Sequence, residues 1–300
     1  MKLTLEQFEI LVSVEMGKSL QEIVDRMKSL LELSEEEILD SFIVLTNHGL
    51  LKKTGEDYCI SEQGYQELEP YKVEKVIFFA AGLGSRMHPI TSFCPKPLVK
   101  VNGQSMIRTL LDAVMKVGIE DITIVIGHLA EQFEGLKGIY PTIKFIKNEN
   151  YSKENNIASA YLVRDQFSNS YVFESDLVLY NPEIVRKYEY SSNYIGYKTK
   201  HSDDWCFKVS GRYIKQLLVG GSDVYHMYGI SYWSKEDGLR LSEDIAAVYL
   251  ADGGKQKYWD EVALREYQDN YNIMIRPVVK GDIVEIDSYE ELKMLDNSYV

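Results

Sequence analysis

A glycine-rich segment with one arginine stands out among the residues that could do chemistry. Residues 80–86 read Ala-Ala-Gly-Leu-Gly-Ser-Arg and end an apolar run, 75–81, that predicts a strand. Gly82 and Gly84 let the backbone approach a ligand closely with its N–H groups pointing inward, which suits a phosphate chain. Arg86 adds a permanent positive charge. The segment is not a Walker loop, because the required lysine is absent, and it lacks the third glycine of the dinucleotide fingerprint.

A lysine between two prolines comes ten residues after Arg86. Residues 95–98 read Pro-Lys-Pro-Leu. Because proline removes backbone donors and stiffens the chain, we expect Lys96 to lie on a rigid extended segment. An arginine and a lysine on one phosphate chain stabilise charge that moves onto a leaving pyrophosphate, so we predict Arg86 and Lys96 as catalytic residues. The alternative is that both are solvated surface cations.

Together these motifs resemble those of the nucleoside-triphosphate transferases that make nucleotide-diphosphate sugars and alcohols. That family usually reads GxGxR, a second arginine two residues on, and then PKPL; this chain has His88 in place of the second arginine. Later segments resemble the bacterial CTP:phosphocholine cytidylyltransferases, and the resemblance covers residues 72–296. These segments are NENYSKENNIASAYLV (148–163), SYVFESD (170–176), DDWCFKV (203–209), GISYW (229–233), KYWDE (257–261) and VEIDSYEEL (284–292).

The resemblance implies that CMP passes from CTP to phosphocholine, giving CDP-choline and pyrophosphate, with Mg²⁺ as cofactor. It implies Asp176 and Asp287 as the Mg²⁺ ligands, and carboxylate oxygens suit this hard cation. The alternative is that Asp176 is a polar residue at a strand end and that Glu285 and Asp287 lie on a solvated strand edge. In a strand these last two point to the same face, which favours a shared site. The nucleotide-binding residues that the resemblance implies are Ala81, Gly82, Gly84, Ser85, Arg86, Lys96, Asn155, Asn156 and Ser159.

The implied acceptor is cationic. A quaternary ammonium cannot donate N–H hydrogen bonds, so proteins hold it with aromatic faces and nearby carboxylates. By the resemblance, Trp205, Tyr258, Asp260 and Glu285 line this choline pocket. The aromatic residues could instead belong to the core. 2-Aminoethylphosphonate, phosphoethanolamine and sugar 1-phosphates remain alternative acceptors.

The elements that must position these residues alternate between strand and helix. Continuous apolar strands between helices predict an α/β fold with a Rossmann-like, mostly parallel mixed sheet and helices on both faces. Residues 194–233 predict twisted strands and hairpins instead. The predicted strands of the sheet are 75–81, 122–126, 143–146 and 171–179, and the predicted helices are 106–117, 157–166, 236–250 and 258–269.

The first 70 residues predict a separate winged-helix-like module of three helices, a hairpin and a short helix, followed by a catalytic domain at 71–300. The module holds six basic and fifteen acidic residues, a net charge of −9. The helix that would enter a DNA groove starts with Ser34 and three glutamates, which phosphates repel. We therefore expect no nucleic-acid partner and interpret the module as regulatory or as a homodimer contact. A transcription regulator that senses a nucleotide or a choline metabolite remains an alternative from another class.

Composition sets the wider limits. Lys plus Arg is 33 and Asp plus Glu is 46 in 300 residues, so the formal net charge is −13. Three separated cysteines predict neither a disulfide framework nor a zinc site. The N-terminal residues do not resemble a signal peptide, and no apolar run is long enough to span a bilayer. These features predict a cytoplasmic location and no membrane partner, and they are compatible with an enzyme without naming its function.

Overall fold

The structure is a computed structural model that describes residues 2–300, apart from the side chain of Leu30. The chain divides into two compact units. The first comprises the residues up to Lys72 together with Tyr188–Tyr190, and the second comprises Val73–Lys187 and Ser191–Val300. The division predicted at residue 70 does not assign Tyr188–Tyr190 to the first unit, because so short a segment leaves no compositional signal.

The first unit contains three helices, a two-stranded hairpin and a fourth helix. Each of the first three helices begins at a capping box, in which the side chains of the N-cap and N3 residues bind each other's backbone N–H groups. The core of the unit includes Phe8, Phe42 and Tyr188. The elements are α1 (Leu5–Glu15), α2 (Leu20–Leu31), α3 (Glu35–Asn47), β1 (Leu51–Thr54), β2 (Asp57–Ile60) and α4 (Glu62–Leu68).

The second unit is built on a seven-stranded mixed sheet. Its elements are β3 (Lys75–Ala80), β4 (Lys100–Val101), β5 (Gln104–Ser105), α5 (Met106–Lys116), β6 (Asp121–Ile126), β7 (Lys144–Lys147), α6 (Ile157–Leu162), β8 (Ser170–Glu174), β9 (Leu177–Leu179), β10 (Asn193–Ser210), β11 (Tyr213–Trp233), α7 (Lys235–Leu250), β12 (Met274–Pro277), β13 (Ile283–Glu285) and α8 (Tyr289–Leu295). The strand order is β10-β12-β11-β8-β3-β6-β7. Strands β7, β6, β3 and β8 are parallel, and β11 joins β8 in the antiparallel direction.

Successive residues of β3 face opposite cores, which confirms the predicted α/β fold with both faces covered. Phe78 packs in one core with Leu110 of α5. Ile77 packs in the other with Ile157 of α6 and Leu241 of α7. Because strands alternate their side chains, a buried central strand is apolar throughout. None of the helices within residues 2–300 is long and apolar enough to cross a membrane.

Three predicted elements differ from the structure. Residues 171–179 are two strands, because the chain leaves the sheet at Ser175, whose hydroxyl donates to the carbonyl of Phe79, and β9 then pairs with β13. The strands and hairpins predicted within 194–233 form two long antiparallel strands, β10 and β11, whose pairing has several register shifts. The predicted helix at 258–269 contains only a π-helical turn, Val262–Glu266, and a 3₁₀ turn.

Candidate active site

The glycine-rich loop leaves the carboxyl end of β3, where a parallel sheet places its ligands. Gly84 has a φ of 61°, and a Cβ at this position would lie 2.9 Å from Thr91 Cγ2 and 3.0 Å from Lys96 Cβ. Thr91 also donates to the carbonyl of Gly84 at 2.9 Å. Only glycine meets both demands, so the loop is packed closely against the segment that carries Lys96.

Lys96 lies between two carboxylates. Its Nζ is 2.8 Å from Asp176 Oδ2 and 2.9 Å from Asp287 Oδ1. Burial disfavours the charged ammonium, but the two aspartates outweigh this effect and raise the pKa of Lys96 above its usual value. The expected extended segment is wrong: after Pro95 the chain makes a 3₁₀ turn at Lys96–Leu98, because Pro97 occupies a first-turn position, where its missing N–H costs no hydrogen bond.

Three carboxylates come together beside this lysine. One oxygen from each of Asp176, Glu285 and Asp287 lies within 4.8 Å of the others. The register of β9 with β13 places Glu285 opposite Leu177, and the N–H of Ile286 donates to the carbonyl of Asp176 at 3.1 Å. The strand pairing therefore joins residues that are more than a hundred positions apart in sequence.

This group fits a hard divalent cation. Within residues 2–300, Asp176 Oδ1 is among the few buried side-chain atoms that have no hydrogen-bond partner. Burial, with Asp176 and Asp287 nearby, raises the pKa of Glu285 well above its usual value. The donor set consists only of oxygens, which Mg²⁺ prefers. Binding of the ion would satisfy Asp176 Oδ1 and reduce the repulsion among the three carboxylates.

Two cavities meet at the carboxylate group. The first measures 280 Å³ and is lined in part by the glycine-rich loop. Arg86 lies at both cavities, and its Nη2 is 2.7 Å from Asp287 Oδ1. The lining of the first cavity is Phe79, Ala80, Gly82, Gly84, Ser85, Arg86, Lys96, Pro97, Glu174, Ser175, Asp176 and Asp287.

The second cavity measures 480 Å³ and holds the residues predicted for the acceptor. The rings of Trp205 and Tyr258 meet edge to face with centroids 5.4 Å apart. Arg265 lies over the Trp205 ring, with its Cζ 5.1 Å from the centroid. The lining is Arg86, Asn156, Glu174, Asp176, Asp204, Trp205, Met227, Gly229, Tyr258, Asp260, Glu285 and Asp287.

Asp260 is the deepest predicted acceptor residue. It is 8% exposed, and the hydroxyl of Tyr194 donates to its Oδ1 at 2.6 Å. Burial raises the pKa of Asp260 to about 7, although the Tyr194 hydrogen bond acts in the opposite direction. Its charge therefore changes near neutral pH.

The three residues predicted for the nucleotide within 155–159 take different places. Asn156 lines the second cavity. Asn155 donates from Nδ2 to the carbonyl of Gln256 at 3.1 Å. Ser159 is 3% exposed and accepts from Asn148 at 3.0 Å. Among the described residues, Asn155 and Ser159 belong to neither cavity lining.

Sequence reasoning missed Glu174 and Asp204. Glu174 lines both cavities, and its Oε1 accepts from Asn156 Nδ2 at 3.3 Å and from Trp259 Nε1 at 3.2 Å. Burial, with Asp260 and Asp176 nearby, raises the pKa of Glu174 well above its usual value. The signal available for Glu174 was its position as a carboxylate directly after the apolar residues 171–173.

Gly229 makes room for this partly buried side chain. A Cβ on Gly229 would lie 2.6 Å from Glu174 Cγ. The glycine of GISYW therefore has a steric reason that the sequence alone does not display.

Comparisons with known proteins bear on the same unit. The sequence profile of the Nucleotidyl transferase family matches residues 75–204. The chain is 38% identical to the 2-aminoethylphosphonate cytidylyltransferase of Lancefieldella rimae over 75% of this chain and 92% of that one. It is 31% identical to the choline-phosphate cytidylyltransferase of Haemophilus influenzae, with 72% and 93% covered.

A solved structure matches the fold. The CTP:phosphocholine cytidylyltransferase from Streptococcus pneumoniae aligns with a TM-score of 0.69 at 28% identity. The alignment covers 76% of this chain and 100% of that one.

Proposed function

Because this chain belongs to the nucleotidyl transferase family, and relatives matched over most of their length are cytidylyltransferases, we propose that it transfers CMP from CTP to a small aminated phosphonate or phosphate. The first acceptor proposed is 2-aminoethylphosphonate. The observation that supports it is the acidic lining of the 480 Å³ cavity.

The carboxylates of this cavity suit an ammonium group. Asp204, Asp260 and Glu174 line it together with Glu285, which also belongs to the group that would hold Mg²⁺, whereas Arg86 is its one cationic lining residue among those described. A primary ammonium carries three N–H donors, each of which can bind a carboxylate or amide oxygen. Asn156 supplies such an amide in the same wall.

Arg265 lies against one face of Trp205, an aromatic residue of the acceptor cavity. Its guanidinium lies over Trp205, so one face of this ring is already engaged by a cation. A quaternary ammonium relies on aromatic faces, and this pocket offers the second face of Trp205 and the half-exposed Tyr258. Phosphocholine, the acceptor expected from the sequence, comes second, because the 2-aminoethylphosphonate relative is 38% identical to this chain and the choline-phosphate relative 31%.

The edge-to-face pair of Trp205 and Tyr258 keeps phosphocholine as a candidate. Two rings with centroids 5.4 Å apart form a corner against which methyl groups pack well. Asp204, an exposed residue next to Trp205 in sequence, lines the same cavity and supplies a charge that does not need a hydrogen-bond donor.

The reaction is an in-line displacement. An oxygen of the acceptor's phosphonate or phosphate forms a bond to the α-phosphorus of CTP, the bond to the β-phosphate oxygen breaks, and pyrophosphate leaves with that electron pair. The attacking oxygen is ionised near neutral pH, so no strong general base is needed. Lys96 and Arg86 stabilise the α-phosphate and the departing pyrophosphate.

Asp176, Glu285 and Asp287 are the residues that would hold Mg²⁺. The bound ion supplies Lewis-acid neutralisation of phosphate charge. Lys96 contacts two of these carboxylates, so the lysine and the ligand group belong to one charge network.

Pyrophosphate release with CTP and Mg²⁺ tests the proposal. We expect the highest kcat/KM with 2-aminoethylphosphonate, a lower value with phosphocholine and phosphoethanolamine, and none with glucose 1-phosphate. A clear preference for phosphocholine would support the second candidate instead. Turnover of glucose 1-phosphate alone would contradict both.

Two variants separate the amine-binding modes. Asp204→Asn removes a carboxylate, so it should raise the KM for 2-aminoethylphosphonate. Trp205→Leu removes the aromatic face, so it should raise the KM for phosphocholine more than that for the primary amine. The KM for CTP in both variants is the internal control.

We further propose that residues 1–70 form a winged-helix-like module that does not bind DNA. The exposed face of α3 carries Glu36 and Asp40 beside Leu39 and Ile43. Phosphates repel such a face. A gel shift at low salt should show no complex with duplex DNA, and a complex there would support the regulator alternative.

A further inference from the structure

Two segments outside the sheet carry residues of the acceptor cavity. The segment before α6 ends at Asn156, and the segment after α7 carries Tyr258 and Asp260. The two are about a hundred positions apart in sequence. Their relative position decides the shape of the cavity wall that holds the amine.

Hydrogen bonds join these segments along their length. Asn155 donates its N–H to the carbonyl of Lys255 at 2.9 Å. Gln256 Nε2 donates to the carbonyl of Lys153 at 3.0 Å. At the cavity itself, Trp259 donates its N–H to Asn156 Oδ1 at 3.0 Å. The Gln256–Lys153 bond is exposed at the surface, and the Trp259–Asn156 bond is partly buried.

One carboxylate ties both segments to the core. Glu154 Oε1 accepts from Lys255 Nζ at 2.9 Å, and Oε2 accepts from the hydroxyl of Tyr249 at 2.7 Å. The side chain of Glu154 is 10% exposed. We call Glu154, Lys255 and Tyr249 the Glu154 bridge.

Tyr249 anchors the bridge to the helices that cover the sheet. Its ring stacks on Tyr161 of α6 with centroids 4.2 Å apart, and Lys255 Nζ lies 5.1 Å from the centroid of the Tyr249 ring. Nearby, a Cβ on Gly254 would lie 1.7 Å from the carbonyl oxygen of Val248, so the second segment passes directly against the end of α7. The bridge thus joins this tight turn to α7, in addition to the hydrogen bonds between the two segments.

We propose that Glu154 is a positioning residue that holds the acceptor segment, with Tyr258 and Asp260, in register with Asn156. The inference rests on the proposed function, because the readout is acceptor binding. Glu154 contacts neither the glycine-rich loop nor the carboxylate group in the contacts recorded for residues 2–300. Its loss should therefore affect the acceptor more than CTP.

Glu154→Gln tests this role. The amide keeps the volume, but it cannot accept from both partners with a carboxylate's charge. We expect the KM for 2-aminoethylphosphonate to rise roughly tenfold, with the kcat and the KM for CTP changed less than about twofold. The matched control is Glu134→Gln, which removes an exposed ion pair with Lys137 in another part of the unit. It should leave all three constants unchanged.

A double-mutant cycle shows whether the bridge acts as one unit. Lys255→Met and Glu154→Gln should each raise the acceptor KM, and the double variant should be no worse than the poorer single variant. Additive effects would overturn the proposal. A lower kcat and equal rises in both KM values, together with a lower melting temperature, would show general destabilisation and would also overturn the proposal.

Amide hydrogen exchange separates this proposal from the proposed function. In Glu154→Gln, peptides covering residues 251–261 should exchange faster, while those covering 80–98 should keep the wild-type rate. If the wild-type protein turns over no acceptor, the proposed function fails, yet the exchange result still judges the bridge. Wild-type exchange at 251–261 in the variant would overturn the inference.

Discussion

Lys96 is the residue on which the charges of the site depend. Its single ammonium contacts Asp176 and Asp287, and Glu285 lies beside them. Three carboxylates within 4.8 Å repel one another unless cations compensate them. The same ammonium lies at the cavity of the glycine-rich loop, so it can also reach a phosphate chain.

Lys96→Met removes this charge and keeps much of the side-chain volume. We expect the kcat to fall by roughly a hundredfold or more, because a charge-stabilising group is lost. Without metal, the unfolding free energy should fall by about 3 kcal/mol, since partly buried Asp176 loses its cationic partner and Asp287 keeps only Arg86. Thermal melting with and without Mg²⁺ measures this, and Mg²⁺ should raise the melting temperature more in the variant than in the wild type. An unchanged kcat in a folded variant would remove Lys96 from the mechanism.

Asp260 predicts a pH dependence in acceptor binding. Burial raises its pKa to about 7, so the carboxyl is neutral below that pH and charged above it. A cationic amine binds the charged form better, and the KM for 2-aminoethylphosphonate should therefore fall as pH rises from about 6 to about 8.

Asp260→Asn isolates this effect. The amide oxygen still accepts the hydrogen bond of Tyr194, so the fold is preserved. The difference between wild type and variant, measured with one acceptor, excludes titration of the acceptor itself. The fall in KM with rising pH should disappear in the variant. An identical pH dependence of KM in both proteins would contradict the role of Asp260 in binding the amine.

At the scale of elements, local patterns were predictable and long-range pairings were not. The strand at 75–80 and the loop after it could be predicted from an apolar run and two glycines, because both features depend only on residues that are close in sequence. The single strand predicted at 171–179 is wrong, because β9 leaves the sheet to pair with β13, about a hundred residues later. No local signal encodes that pairing.

The same limit applies to the site. Asp176 and Asp287 were predicted by resemblance to a family, and the structure brings them together with Lys96. Glu174 was missed because a carboxylate in a buried strand has meaning only beside Gly229, which lies on β11. Ser159, predicted to contact the nucleotide, is buried against Asn148, since position on a helix face cannot be judged from a motif alone.

Gly84→Ala tests the packing between the loop and the Lys96 turn. The alanine would combine a φ of 61° with a contact of 2.9 Å to Thr91, so the loop must shift. We expect the KM for CTP to rise roughly tenfold and stability to fall by about 1 to 2 kcal/mol. Gly118→Ala is the matched control, because Gly118 has a φ of 79° but open space around its Cβ position. It should lose similar stability and keep its CTP affinity; equal effects on CTP would contradict a specific role for Gly84.

At the scale of the whole molecule, the site and the acidic first unit are separate in composition. All residues assigned to the cavities lie in the second unit. The first 70 residues carry −9 of the total formal charge of −13. A chain that begins at Val73 should therefore keep the chemistry.

That shortened chain should nevertheless be less stable, for a reason internal to the first unit. Tyr188 is 2% exposed in the core of that unit, and Tyr190 packs against Phe8 and Tyr71 with centroids 5.4 and 5.7 Å apart. Deleting residues 1–72 exposes both tyrosines, and exposed aromatic surface promotes association. We expect the kcat within about twofold of the full chain but aggregation at lower temperature.

Tyr188→Ser with Tyr190→Ser in the shortened chain should restore solubility, because the exposed aromatic surface is removed. Light scattering during a thermal ramp measures aggregation, and pyrophosphate release measures the kcat. Size-exclusion chromatography of the full and shortened chains then tests the module as a homodimer contact: a dimer that becomes a monomer after deletion supports it. A soluble shortened chain that binds CTP but has lost turnover would show instead that the first unit contributes to catalysis, although every residue of the two cavities lies outside it.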